Sequence, residues 1–305
     1  MKSPFLVRGC RLTTALLSAI CWFGLFEANV HVRANIPGGG TGTGVDVTLS
    51  GTAASSTSST MSNGIVSIVI TKSSAQIPTI NYTFNNTGSS QTLNLLSGNA
   101  NGGKLYWEHS NNQGLAFTYS VVADPATTGG DYAEVALYST TQAEMPFEVH
   151  YSMRRGSPGF YVTAIWTHNS SNGAFGMGEC RNNIYAGSIF NWMSVDDTRN
   201  KLMPVSGSPT AIGVPTAPVE CSLWTSGIYQ GQYEDKYKYS APFGDQRVWG
   251  WSSVGSSGKN VGLWDVSASA EYYNGGPLKQ ELMCHMGTTI LNMFNGNHFG
   301  MGEDG

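Results

Sequence analysis

The chain has 305 residues, with 16 Lys and Arg against 20 Asp and Glu. Lys2, Arg8, Arg11, Arg33 and Glu27 fall in the first 34 residues, so the remainder carries 12 basic and 19 acidic side chains, a net charge of −7. That sign argues against a nucleic-acid binder, which needs a basic face. With 40% hydrophobic residues, 12% charged residues and 38 glycines, the chain can bury a core and suits short strands and turns better than helical bundles.

Taken in chain order, the first feature is an export signal over 1–34. Lys2, Arg8 and Arg11 precede a mostly apolar stretch from Leu12 to Phe26, and Ala28 or Ala34 is placed for cleavage. The stretch is short of the ~20 apolar residues of a spanning helix. The expected product is secreted or periplasmic, with no membrane association after cleavage. Residues 35–61 then read as a low-complexity leader or linker, from Pro37-Gly38-Gly39-Gly40 through the Ser/Thr run ending at Ser62. Order is expected to begin near Ile65.

From there strand signals recur. Ile65, Val66, Ile68, Val69 and Ile70 are β-branched. Between Pro146 and Arg154, Phe147, Val149, Tyr151 and Met153 alternate with Glu148, His150 and Ser152. Phe160 to Thr167, Tyr132 to Tyr138 and Val261 to Val266 are further strands, and no long amphipathic helix occurs. The fold class is therefore all-β, a large antiparallel β-sandwich occupying 62–305. Beyond the signal only Cys180, Cys221 and Cys284 remain, so at most one disulfide forms within the chain. No Cys-x-x-Cys suggests thiolate-bound zinc. Asn81, Asn85 and Asn169 open Asn-x-Ser/Thr sequons, meaningful only in a host that glycosylates exported proteins. Phe-Gly-Met-Gly-Glu occurs at 175–179 and 299–303, too short a match to be a structural repeat.

Common catalytic signatures are absent: no phosphate loop, no Gly-x-Ser-x-Gly elbow, no His-Glu-x-x-His. The last quarter is instead dense in Tyr, Trp, Lys, Arg and His, from Tyr233 through Trp251 and on to His298. Aromatic faces stack on pyranose rings, and bases clustered in a net-acidic protein suit a local anion. This composition suggests a cleft for an acidic sugar.

The stretch Asp235-Lys236-Tyr237, then Trp249-Gly250-Trp251, then Glu271 and Asn274-Gly275-Gly276-Pro277-Leu278-Lys279-Gln280, resembles the rhamnogalacturonan endolyases of polysaccharide lyase family 4. Gly178-Glu179-Cys180-Arg181 through Met203-Pro204 is similar to that family's upstream segment. The resemblance implies a supersandwich of the galactose-mutarotase type and a substrate, rhamnogalacturonan I, in which rhamnose and galacturonic acid alternate. It also implies β-elimination, which leaves an unsaturated galacturonosyl end. Members usually continue into a fibronectin-like and a jelly-roll domain, both expected to be absent from a sequence ending at Gly305.

Eliminating across C4–C5 of galacturonate requires a base at C5, an acid at the leaving oxygen and a cation on the carboxylate. By resemblance Lys236 matches the base, His298 the acid and Arg181 a groove arginine. A lysine serves as base where burial or a neighbouring cation lowers its pKa. Lys238, two residues on and on the same strand face, is the competing base. Tyr237, Lys238, Trp249, Trp251, Glu271 and Lys279 are the further substrate-binding candidates. Tyr233, Tyr239, Tyr272 and Tyr273 are added platforms, though strand alternation sends about half of such rings to the core. Without the resemblance, Lys236 reads as a solvated surface lysine and Arg181 as half of a surface ion pair with Glu179.

No cofactor is obligatory, and calcium is the expected ion if one takes part, since its oxygen ligands leave no spacing signature. The expected state is a monomer. The rival readings are a non-catalytic pectin-binding sandwich, a glycoside hydrolase using Glu271, and an inactive truncated lyase.

Overall fold

The β-branched run at 66–71 shows how this sequence makes strands. Val66, Ile68 and Ile70 are buried, while Ser67, Val69 and Thr71 are half-buried between them. One apolar face per strand must find another sheet to cover it. The computed structural model describes residues 43–85, 88–109, 114–176, 179–194, 197, 200–202, 209–211, 221–224, 230, 233–235, 248–254, 260–266, 284–285 and 289–296. All of them belong to one unit of the chain, Gly38–Gly305.

The first sheet is a meander of β1 (Thr48–Ser50), β2 (Ser58–Ser62), β3 (Val66–Thr71), β4 (Thr79–Asn85) and β5 (Ser90–Asn94), in that order. A second meander joins β7 (Thr118–Ala123), β8 (Tyr132–Ser139), β9 (Phe147–Arg154) and β10 (Phe160–Trp166). A third sheet is assembled from distant segments. β6 (Lys104–Glu108) pairs with β11 (Glu179–Tyr185), which pairs with β20 (Thr289–Gly296), which pairs with β19 (Cys284–His285). The fourth sheet runs β13 (Asn200–Leu202), β12 (Trp192–Ser194), β17 (Val248–Ser252), β18 (Gly262–Val266). The fifth runs β14 (Pro209–Ala211), β15 (Cys221–Trp224), β16 (Tyr233–Asp235). Every named pair is antiparallel.

One core joins the first four sheets. It holds Met61, Ile68 and Ile80 from the first, Val135, Val149 and Tyr151 from the second, Leu105, Trp107 and Ile184 from the third, and Met193, Trp249 and Trp251 from the fourth. Burying each large side chain stabilises the fold by about 1.5–3 kcal/mol before entropy is counted. The architecture is all-β and sandwich-like, as the alternation indicates. β9 carries Phe147, Val149, Tyr151 and Met153 in the core. No helix among the described residues is long and apolar enough to cross a membrane.

Order begins earlier than the composition indicates. The segment read as a loose leader at 35–61 contains β1 and nearly all of β2. Its hydroxyls satisfy fixed partners: Ser59 Oγ donates to Ser50 O at 3.0 Å, and Tyr119 OH donates to Ser59 Oγ at 3.0 Å. Lys72 Nζ donates to Ala53 O at 2.7 Å. Upstream, Asp46 binds Arg155 Nη1 at 2.6 Å, and Asp131 binds the same guanidinium at 2.7 Å. Ser and Thr serve here as strand residues, because a pleated surface with polar partners accepts them. The export signal expected over 1–34 lies outside the described residues.

Candidate functional site

Arg181 lies in β11, opposite Glu108 of β6 and Met293 of β20. Between Glu179 and Arg181 the register with β20 shifts: Glu179 faces Gly296, while Arg181 faces Met293. Two residues on β20, Phe294 and Asn295, therefore stand against Cys180 alone on β11. Such a bulge twists the strand locally and is common beside active sites. β20 ends at Gly296, two residues before His298, so the described strand leading toward His298 ends beside the one that carries Arg181.

β16 ends at Asp235, immediately before Lys236, and pairs with β15 through Cys221↔Asp235. Lys236, Tyr237, Lys238, Glu271, Lys279 and His298 lie outside the described residues, as do Tyr239, Tyr272 and Tyr273.

The tryptophan pair behaves differently from a sugar platform. Trp249 and Trp251 in β17 are 0% exposed and belong to the core. They present no ring face to a sugar in this structure. Gly250 between them is required by the neighbouring strand, because a Cβ there would meet Leu263 O at 2.3 Å. The Trp-Gly-Trp triplet thus reports close packing of β17 on β18. Trp264 of β18, the register partner of Gly250, is by contrast 45% exposed.

Two buried or enclosed titratable residues were not singled out in the sequence. Asp265 pairs with Trp249 in register, and burial raises its carboxyl from 3.8 to about 7. The residue as a whole is half-buried. A carboxyl that titrates near neutrality is a candidate proton-transfer group. Its signal, an Asp within the apolar run Leu263-Trp264-Asp265-Val266, was present in the sequence. The other feature is His109, fully buried and bonded through Nε2 to Met145 O at 3.0 Å. Burial lowers its pKa, with the backbone bond opposing. It packs on the rings of Phe147 and Phe175, an internal neutral imidazole.

Among the described residues no group of three or more His, Cys, Asp or Glu side chains is arranged to hold a metal ion. On the described sheet Lys104, Tyr106 and Glu108 share one face of β6, opposite Tyr185, Asn183 and Arg181 of β11 in register. Tyr106, Glu108 and Asn183 are buried there, while Lys104 and Tyr185 are half-buried.

The family model described as the rhamnogalacturonate lyase family matches residues 31–213. A protein named rhamnogalacturonate lyase from Dickeya dadantii is 28% identical over 170 residues, covering 56% of this chain and 27% of that protein. A protein named probable rhamnogalacturonate lyase C from Emericella nidulans is 26% identical over 265 residues, covering 82% of this chain and 24% of that protein. The chain therefore spans about a quarter of the length of these curated relatives. No solved structure matches it.

Proposed function

The chain belongs to the rhamnogalacturonate lyase family, and from that premise we propose that it cleaves the rhamnose–galacturonic acid bond of rhamnogalacturonan I within the polymer by β-elimination. The observation that carries this reading is the antiparallel pairing of β11 with β20. It sets the strand bearing Arg181 beside the strand that leads toward His298, the two inner strands of the third sheet.

In the proposed reaction Lys236 Nζ takes the proton from C5 of galacturonate. The C5–H electron pair forms the C4=C5 double bond, and the C4–O bond breaks with its pair on the leaving oxygen. His298 protonates that oxygen, which stays on the rhamnose. Arg181 holds the carboxylate while enolate-like charge develops, the electrostatic assistance that weak carbon acids need. Residues 1–34 are assigned to export, so the enzyme meets its polymer outside the cytoplasm. It acts as a monomer, and calcium is the ion to test for help at the carboxylate.

The test is near-ultraviolet absorbance during incubation with debranched rhamnogalacturonan, with polygalacturonan as control. Wild type is run beside Lys236→Ala and His298→Ala, with and without a chelator of calcium. Absorbance rising on the first substrate alone, and lost in both variants, supports the reading. A flat trace from cooperatively folded wild type would sink it and leave carbohydrate binding or hydrolysis.

A further inference from the structure

We propose that Lys104, with Tyr106, Asn183 and Tyr185, forms a second anionic-sugar subsite on the same sheet as Arg181, holding a carboxylate one repeat away from the bond being broken. The substrate class rests on the lyase reading; the geometry does not.

Lys104 is the register partner of Tyr185, and Tyr106 that of Asn183, across the β6–β11 pair. Lys104 Nζ stands 4.8 Å from the Tyr106 ring centroid and 5.9 Å from that of Tyr185. The two rings lie 5.3 Å apart at 50°, and their hydroxyls are 3.1 Å from one another. Aromatic faces aim a cation without neutralising it. Among the described residues no carboxylate forms an ion pair with Lys104. Lys104 and Tyr185 are half-buried, so neither is sealed in the core.

A second observation points the same way. Asn183 is 1% exposed, yet its Nδ2 has no hydrogen-bond acceptor. A buried donor left without an acceptor is rare in folded proteins and calls for a reason. Here it lies between the Tyr106–Tyr185 pair and the position of Arg181. An anionic ligand lying along this face would supply the missing acceptor.

The spacing suits an alternating polymer. Tyr185 lies four residues from Arg181 along β11, about 13 Å at the rise of a strand. That span is on the scale of one repeat in a polymer whose successive carboxylates are separated by one neutral sugar. Tyr185 then offers a ring to the intervening residue, and Lys104 a charge to the carboxylate beyond it.

The experiment is equilibrium binding of a rhamnogalacturonan oligosaccharide and of its carboxyl-reduced counterpart. The proteins compared are wild type, Lys104→Met and Lys104→Arg, each first checked for an unchanged thermal transition. Lys104→Met removes the charge and keeps the stem; Lys104→Gln replaces it should it fail to fold. The expected result is about tenfold weaker binding of the acidic oligosaccharide by Lys104→Met. Lys104→Arg should restore it, and binding of the reduced oligosaccharide should not change. Folded Lys104→Met that binds the acidic oligosaccharide like wild type overturns the subsite. So does equal weakening toward both oligosaccharides, which marks a structural role. Absence of unsaturated product with wild type counts against the lyase reading alone, because the binding comparison still reads Lys104.

Discussion

His150 Nδ1 lies 2.5 Å from Oε1 of Glu134, across the β8–β9 pair, with both side chains only 5% exposed. Tyr132 OH donates to the other Glu134 oxygen. On the far side of the ring, Nε2 is 3.2 Å from Glu148 Oε1, close enough for charge attraction. Arg154 is the remaining charged group, opposite Tyr132 in register; Tyr161 of β10 and Ser152 complete the row. Burial disfavours the imidazolium, but the Glu134 bond and the charges of Glu148 and Glu134 outweigh it, and the His150 pKa is raised above 6.5. A folded-state pKa above the unfolded one gives stability that is complete below 6.5 and lost as pH rises through the higher value. Urea-unfolding midpoints should therefore fall on the alkaline side of 6.5 in wild type. His150→Gln should remove that part of the slope. The shared slope from His109 has the opposite sign and cancels in the comparison.

Asp265 makes a second pH-dependent contribution. Its carboxyl is raised from 3.8 to about 7 by burial, so it favours the folded state below 3.8 and loses that advantage as pH climbs toward 7. Asp265→Asn should be more stable than wild type above neutrality, with the difference closing in acid. Thermal melts across pH read this directly, and an Asn variant that is less stable at every pH would contradict the assignment.

Trp249 tests the division between core and cleft. Trp249→Ala should cost about 3–5 kcal/mol of stability, the range for emptying a large aromatic site in a packed core. Urea denaturation measures it. A Trp249→Ala protein with unchanged stability but weakened sugar binding would return the residue to the substrate face.

Asn63 anchors the early strands. Its Nδ2 donates to Arg154 O and Ser157 O at 2.8 Å each, and its Oδ1 accepts from the N–H groups of Ile65 and Val66. Asn63→Ala strands these buried groups and should destabilise the fold by about 2–3 kcal/mol. An unchanged unfolding midpoint would show that the β2–β3 turn is dispensable.

The choice between Lys236 and Lys238 is open to kinetics. Removing the base should lower kcat by about 10²–10⁴-fold. Lys236→Ala is expected to show that loss, and Lys238→Ala mainly a raised KM. The reverse pattern would move the base two residues along.

Which parts of this were legible beforehand follows from how each signal is encoded. β9 and β10 were readable because alternation is local: Phe147, Val149, Tyr151 and Met153 declare one face within eight residues. β1 and β2 were not, since each holds a single large apolar residue, Leu49 and Met61, amid Ser and Thr. Their order comes from partners such as Tyr119 and Lys72, far away in sequence. The Trp-Gly-Trp motif was visible, but its burial depends on Leu263 approaching Gly250, which periodicity cannot reveal. The Lys104–Tyr185 pairing is equally hidden, joining strands whose tyrosines are 79 positions apart.

That separation has a consequence for the order in which the molecule forms. The first and second sheets are meanders whose neighbours follow one another along the chain, so each can close while the polypeptide is still emerging from the ribosome. The third sheet cannot. β6 waits for β11, and β11 waits for β20, the last named strand. Non-local pairing of this kind is slow because loop closure precedes any reward in contacts. A nascent chain would thus own a settled scaffold well before the strand bearing Arg181 acquires its second neighbour.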